Sequence, residues 1–195
     1  MTARHSGGRV IWITGFSGAG KTTLARALMP CLGERAVLLD GDELREVLDA
    51  ARCGFDRESR QRLAFTYARM ARMLALQGFA VVVATISLFH DLHAWNREHL
   101  PGYLEVWLDV PEEERRRRDP KGLYAAAANG QVRDMACERM VEVPREPHLT
   151  LRFGEHGDVG ACARSVLEML DVPDLAKLPE GGAASPDPAP GTGGA

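Results

Sequence analysis

Val10-Ile11-Trp12-Ile13-Thr14 runs directly into Gly15-Phe16-Ser17-Gly18-Ala19-Gly20-Lys21-Thr22, and a helix-forming stretch through Leu24 to Leu28 follows. A short, unbroken, β-branched run of this kind reads as a buried strand. The glycines after it let the chain curl so that successive backbone N–H groups face inward and surround an anion. The helix starting near Gly20 adds its positive N-terminal end. The spacing is that of a P-loop, in which Lys21 reaches the β- and γ-phosphates of a nucleoside triphosphate and the Thr22 hydroxyl ligates Mg²⁺. Gly15 to Thr22, with Thr23, are therefore the expected ATP-binding residues. Phe16 either contacts the nucleotide base or packs. A glycine-rich turn that binds nothing is the bland alternative, and the strand before the loop and the helix after it argue against it.

The rest of the chain repeats the strand-then-helix pattern. The first helix is expected to stop near Pro30 and Gly33. Ala36-Val37-Leu38-Leu39 is a second buried strand ending at Asp40, and Asp42 to Ala50 looks helical with Asp42 as its N-cap. From Arg57 to Gln77 the apolar positions Leu63, Tyr67, Met70 and Leu74 recur at helical spacing, and Gly78 supplies the stop. Phe79 to Ile86 and Tyr103 to Val110 are the third and fourth strands. His148 to Phe153 is the fifth, before a helix from about Val159 to Leu170. Alternation of this kind predicts a three-layer α/β fold of the P-loop nucleoside-kinase type, with a parallel sheet of about five strands. The domain is expected to span 1–172. After Asp171 the composition turns to Pro, Gly, Ala and Ser, so 173–195 reads as a disordered tail.

Leu39-Asp40-Gly41-Asp42 places two acids at the carboxyl end of a strand, the edge where open α/β sheets bind ligands. Asp40 can hold Mg²⁺ directly or through water, or simply end the strand. Asp42 can orient an acceptor hydroxyl and take its proton, or simply cap the helix. Arg45 shares a helical face with Asp42 and is a candidate clamp for an anionic acceptor, or a solvated arginine.

Together, Gly-Phe-Ser-Gly-Ala-Gly-Lys-Thr-Thr, Leu39-Asp40-Gly41-Asp42 with Arg45, Ile86-Ser87 and Arg118-Asp119-Pro120-Lys121-Gly122-Leu123-Tyr124 resemble adenylylsulfate kinases. The similarity runs from about Val10 to Phe153. Lys-Gly-Leu-Tyr is its most discriminating piece. The resemblance implies ATP-dependent phosphorylation of the 3′-hydroxyl of adenylyl sulfate, giving 3′-phosphoadenylyl sulfate. It implies an acceptor pocket lined by Asp40, Asp42, Arg45, Arg60, Ile86, Ser87, Lys121, Gly122 and Leu123. Lys21, Asp42 and Arg118 become the expected catalytic residues, and Thr22 and Asp40 the Mg²⁺ ligands. A lid from about 119 to 147 is expected to close over the site.

The chain departs from that family in places. Leu88-Phe89-His90 follows Ile-Ser where Pro, an aromatic and Arg are usual. On the long helix Leu63 and Phe65 stand where Asn and Arg are expected, and in the mobile segment Glu142 and Pro144 are the echoes of the family pattern. Ile86-Ser87-Leu88-Phe89-His90, with Trp95-Asn96-Arg97-Glu98 and Leu100-Pro101-Gly102-Tyr103, is similar to a divergent branch found with surface-polysaccharide genes, which implies cytidine diphosphoramidate as the alternative acceptor. An acceptor-independent P-loop ATPase is a third reading.

Glu112-Glu113-Glu114 followed by Arg115 to Arg118 forms i,i+4 pairs in the favourable order, so Arg115 to Arg117 read as a solvated helix face. Arg118 abuts the family-like segment and is expected on the transferring phosphoryl group or the ATP base. His90, Asp91 and His93 lack a third convincing ligand partner and predict no zinc site. The four cysteines are scattered, the opening residues have no apolar core of a signal peptide, and no apolar run is long enough to span a bilayer. With a net charge of -3, this predicts a cytoplasmic protein that binds ATP and a small anionic nucleotide but neither nucleic acid nor membrane. A homodimer is compatible with the sequence.

Overall fold

The strand-forming runs meet as one sheet in the computed structural model, which describes residues 7–48, 56–118, 141–172 and 178. The order is β1 (Arg9–Gly15), α1 (Lys21–Leu32), β2 (Ala36–Asp40), α2 (Gly41–Val47), α3 (Arg57–Leu76), β3 (Ala80–Thr85), α4 (His90–His99), β4 (Tyr103–Asp109), α5 (Glu112–Arg118), β5 (Leu149–Arg152) and α6 (Val159–Met169). All strand pairs are parallel, in the order β2-β3-β1-β4-β5. The five-stranded parallel sheet is the one expected. Phosphate-loop strand β1 lies at its centre, where the winding direction reverses and α/β sheets open a crevice.

Alternation along the strands explains the three layers. Ile11 and Ile13 point to one face, with Val82, Leu104, Val106 and Leu108, and pack against α1 and α6 through Leu24, Leu28, Ala163 and Leu167. Val10 and Trp12 point to the other, with Val81 and Val83, and pack against α3 and α4 through Tyr67, Ala68, Ala71 and Leu92. Burying each face contributes about 25 cal/mol per Å² of apolar surface, which ties the helices to the sheet.

Local chemistry sets the ends of the elements. Helix α1 runs through Pro30 and stops at Leu32 before Gly33, so the proline does not end it. Asp56 caps α3 by accepting from the Ser59 N–H at 2.9 Å, and Asp158 caps α6 through Ala161 N–H at 2.9 Å. Among the described residues no helix is long and apolar enough to cross a membrane. The expected tail, Leu178 apart, lies outside the described residues.

Candidate active site

The carboxyl ends of β1, β2 and β3 lie side by side, with Thr14 against Thr85 and Asp40 against Ala84. Over them curls the loop Gly15 to Gly20. Gly18 (φ 77°) and Gly20 (φ 93°) take the left-handed conformation that lets backbone N–H groups turn inward. A side chain at Gly18 would also bring its Cβ to 3.0 Å from the Arg115 carbonyl oxygen. Within the loop the Ala19 N–H donates to the Phe16 carbonyl at 3.2 Å, and Lys21 Nζ folds back to donate to the same carbonyl at 2.8 Å. Helix α1 starts at Lys21 with no side-chain cap, so its leading N–H groups are available to an anion.

Thr22, on the first turn of α1, donates its hydroxyl to Asp40 Oδ2 at 2.6 Å. The other oxygen of Asp40 accepts from the Asp42 N–H at 2.9 Å, which makes Asp40 the N-cap of α2. This corrects the expectation that Asp42 is the cap and that the helix runs from Asp42 to Ala50; it starts at Gly41 and ends at Val47. The reason is steric and local: Asp40 leaves the strand in an extended conformation, the geometry of a capping residue. Asp40 is 4% exposed, whereas Asp42 stands on the exposed first turn. The two acids therefore divide the work, one fixed against Thr22 and the other facing outward.

On the β3 side, the Thr14 hydroxyl donates to the Ile86 carbonyl and Thr85 Oγ1 lies 2.9 Å from Ser87 Oγ. Ser87 is nearly buried and takes a positive φ of 28°, a strained choice for a residue with a side chain. Gly41 backs onto this pair, since a Cβ there would meet Thr85 Oγ1 at 3.1 Å. Tyr67 reaches over from α3 to donate to the Gly41 carbonyl at 3.4 Å. Thus the start of α2, which carries Asp42, lies beside the loop of Ile86 and Ser87 at the edge of the sheet. Arg45 on α2 and Arg60 on α3 are half-buried. Leu63 is core, and Phe65 packs edge-on against Trp95 at 6.0 Å with the Arg69 guanidinium over its ring. Neither side chain carries a hydrogen-bonding group.

Behind the loop, Arg115 contradicts the reading of a solvated face. It is 4% exposed, its Nε donates to the Val110 carbonyl at 2.9 Å, and its guanidinium lies 4.3 Å from the centre of the Phe16 ring. Phe16 in turn packs edge-on against Trp107 at 5.7 Å. Of its neighbours, Arg116 pairs with Glu112 and Arg118 with Glu114 as expected, but Arg117 takes Glu114 rather than Glu113. These two arginines pull the Glu114 carboxyl well below its usual range. The Arg118 guanidinium also lies 5.2 Å from the exposed ring of Phe153, and its Nη1 stands 3.8 Å from where a Gly20 Cβ would be. Arg118 and Phe153 thus flank the nucleotide loop with a flat cation and a ring. Phe153 was identified in sequence only as the end of a strand.

Sequence reasoning also missed an anchor beside the crevice. Glu142 pairs with Arg57 at 2.5 Å and accepts from the His90 N–H at 2.6 Å, at the amino end of α4. Its own N–H donates to the Leu88 carbonyl at 3.1 Å. His90 Nε2 lies 2.9 Å from the Val143 carbonyl, and Arg57 sits over the Phe89 ring. Glu142 is depressed below the usual carboxylate range, first by the His90 N–H and then by Arg57. Arg57 and Glu142 are 85 residues apart, so only the fold pairs them. Lys121, Gly122 and Leu123, and the expected lid up to residue 140, lie outside the described residues.

Similarity to known proteins agrees with this geometry. The adenylylsulphate kinase family model matches residues 7–152. A cytidine diphosphoramidate kinase of Campylobacter jejuni is 40% identical over 126 residues, covering 63% of this chain and 73% of its own. An adenylyl-sulfate kinase of Pseudomonas aeruginosa is 40% identical over 148 residues, covering 73% and 75%. Among solved structures, the Mycobacterium tuberculosis APS kinase in complex with AMPPNP and APS superposes with a TM-score of 0.77 at 32% identity, over 85% of this chain and 98% of that one. The strand order, the phosphate loop and the matched span lead to one conclusion: the chain belongs to the adenylylsulphate kinase family of P-loop phosphotransferases, kinases that use ATP.

Proposed function

We propose that this chain transfers the γ-phosphate of ATP to the 3′-hydroxyl of adenylyl sulfate, giving 3′-phosphoadenylyl sulfate. The observation that carries the reading is the division of labour between Asp40, fixed against Thr22, and Asp42, two residues on and standing on the exposed first turn of α2. Phosphoryl transfer asks for an aligned acceptor and for positive charge on the equatorial oxygens, and little covalent chemistry from the protein. Asp42 aims the acceptor hydroxyl at the terminal phosphorus and accepts its proton. Lys21, the loop N–H groups and Arg118 take up the charge. The alternative place for Arg118 is against the nucleotide base, with the Phe153 ring beside it.

The residues present suit Mg²⁺. A hydroxyl and a buried carboxylate 2.6 Å apart are hard oxygen donors, so Thr22 and Asp40 would hold the ion directly or through water. The ion would neutralise charge on the β- and γ-phosphates when bound. Arg45, Arg60, Ile86 and Ser87 border the acceptor, together with Lys121, Gly122 and Leu123 from the segment that follows α5. The kinase domain spans 1–172, with 119–147 as its lid and 173–195 as a tail.

One observation favours a second acceptor. Leu63 is buried core and Phe65 packs on Trp95, so neither supplies the amide or guanidinium that adenylylsulfate kinases carry there. A smaller or differently polar nucleotide, cytidine diphosphoramidate, suits such a wall. Side-by-side measurement of ADP release with each acceptor, Mg²⁺ and ATP decides between them. Faster turnover on adenylyl sulfate supports the first reading, faster turnover on the cytidine compound the second, and release that ignores both defeats the kinase assignment.

A further inference from the structure

On the side of β4 away from α6, charged and polar groups are buried where an apolar wall would be the simpler choice. Glu105 is fully buried, yet its position in the strand register puts it beside Trp12 in the middle of the sheet. Arg97 of α4 forms an ion pair with its Oε2, and His93, one turn earlier on the same helix, brings Nδ1 to 3.3 Å from its Oε1. Neither of those last two atoms has a hydrogen-bond partner among the described residues, so the 3.3 Å approach is a close contact of polar atoms. The far side of the His93 ring points at the active site: Nε2 lies 3.1 Å from the carbonyl oxygen of Ser87.

The Ser87 carbonyl sets the tautomer of the ring. A carbonyl only accepts, so Nε2 must carry the ring proton and Nδ1 is left as an acceptor. Burial pushes the Glu105 carboxyl up to about 6, against the pull of Arg97. Burial likewise pushes His93 down to about 4, which keeps the ring singly protonated. Groups facing His93 are His90 and Arg97 from its own helix, Glu105 from β4, Ser87 from the loop after β3, and Glu142 from the segment before β5, while Tyr103 of β4 stands against Glu105. His148, from that same segment, accepts from the Glu105 N–H at 2.9 Å and closes the cluster. Arg57 of α3 meets it through Glu142.

The Ser87 carbonyl also accepts from the Phe89 N–H at 3.2 Å, so two donors grip one oxygen in a residue whose φ is positive. Such a conformation persists only when its surroundings hold it. We infer that His93 is a positioning residue: braced by Glu105 and Arg97, it holds the Ser87 carbonyl and with it the acceptor-side loop from Ile86 to Phe89. This rests on the proposed function only in taking that loop as the acceptor wall. It gives the buried polar cluster a purpose that packing alone does not, since a buried ion pair stabilises little over an apolar replacement.

The test compares His93→Ala with His93→Gln in the full chain. Gln places an amide N–H near the position of Nε2, so it keeps the donor and loses the imidazole. In His93→Ala, kcat/KM for the acceptor should fall by about 10- to 100-fold with the KM for ATP unchanged, and His93→Gln should recover most of it. Amide exchange at Phe89 should quicken in the alanine variant and return toward wild type in the glutamine variant. That readout needs no acceptor, so it still decides the inference if the wild-type enzyme phosphorylates neither candidate nucleotide, an outcome that would defeat the proposed function alone. Equal loss in both variants, parallel loss for ATP and acceptor, or unchanged exchange at Phe89 would each overturn the positioning role.

Discussion

Thr22 Oγ1 and Asp40 Oδ2 stand 2.6 Å apart, joining the first turn of α1 to the end of β2 across 18 residues of sequence. The contact fixes the hydroxyl and the carboxylate that would share Mg²⁺ before any nucleotide arrives. Thr22→Val keeps the shape and removes the hydroxyl. A hydrogen bond to a charged group is worth about 1.5–3 kcal/mol, which corresponds to a fall of roughly ten- to a hundredfold in kcat/KM for Mg·ATP. Steady-state kinetics at saturating acceptor checks this, and unchanged kinetics would remove the pair from the metal site.

Asp42→Asn separates catalysis from capping. Because Asp40 caps α2 and Asp42 contributes to the cap only its backbone N–H, the variant should unfold at the wild-type temperature. Its kcat should fall by about 10²- to 10⁴-fold, the usual contribution of a positioned base. A variant that melts early but turns over normally would return Asp42 to a purely structural role.

Arg115 tests the wall behind the loop. A surface arginine can be replaced within about ±0.5 kcal/mol. Arg115 instead satisfies the buried Val110 carbonyl and covers Phe16, so Arg115→Ala should cost about 2–4 kcal/mol. Urea denaturation measures it, with Arg116→Ala as the exposed comparison.

Stability should depend on pH through the His93 cluster. His93 is depressed to about 4 by burial, so the folded chain binds this proton less tightly than the unfolded one. Its contribution is complete above about pH 6.5 and is lost as pH falls through 4. Glu105, raised by burial to about 6, acts in the opposite sense: its contribution is complete below about 4.5 and is lost as pH rises through 6. His93→Gln removes the first limb and keeps the second. The stability gap between wild type and variant should narrow from pH 6.5 to 4 by at most about 1.4 kcal/mol per pH unit. A gap that stays constant contradicts the assignment.

Much of the site was legible because its parts are local. A loop that must curl around phosphate needs glycines and a lysine at fixed spacing, and Gly15 to Thr22 display them in one octapeptide. Asp40 and Asp42 were both visible, but their roles depended on where the strand gives way to the helix, a boundary that two adjacent candidates for a cap leave open. Arg115 was hidden for a different reason. Helix α5 is all charge, without an apolar period to mark its inner side, and what buries Arg115 is Phe16, about a hundred residues earlier. Glu105 carried a signal that went unread: a lone acid amid Leu104, Val106 and Trp107 in a buried strand demands a partner, and His93 and Arg97 lie four apart on the preceding helix. Arg57 with Glu142 has no such trace, because their pairing exists only after the sheet is assembled.

ADP formation from Mg·ATP, measured with and without adenylyl sulfate for the wild-type chain and Lys21→Ala, tests the central claim most directly. The account predicts release that depends on the acceptor, matches the appearance of 3′-phosphoadenylyl sulfate, and disappears in Lys21→Ala. Release at the same rate without any acceptor, or full transfer by Lys21→Ala, would contradict it.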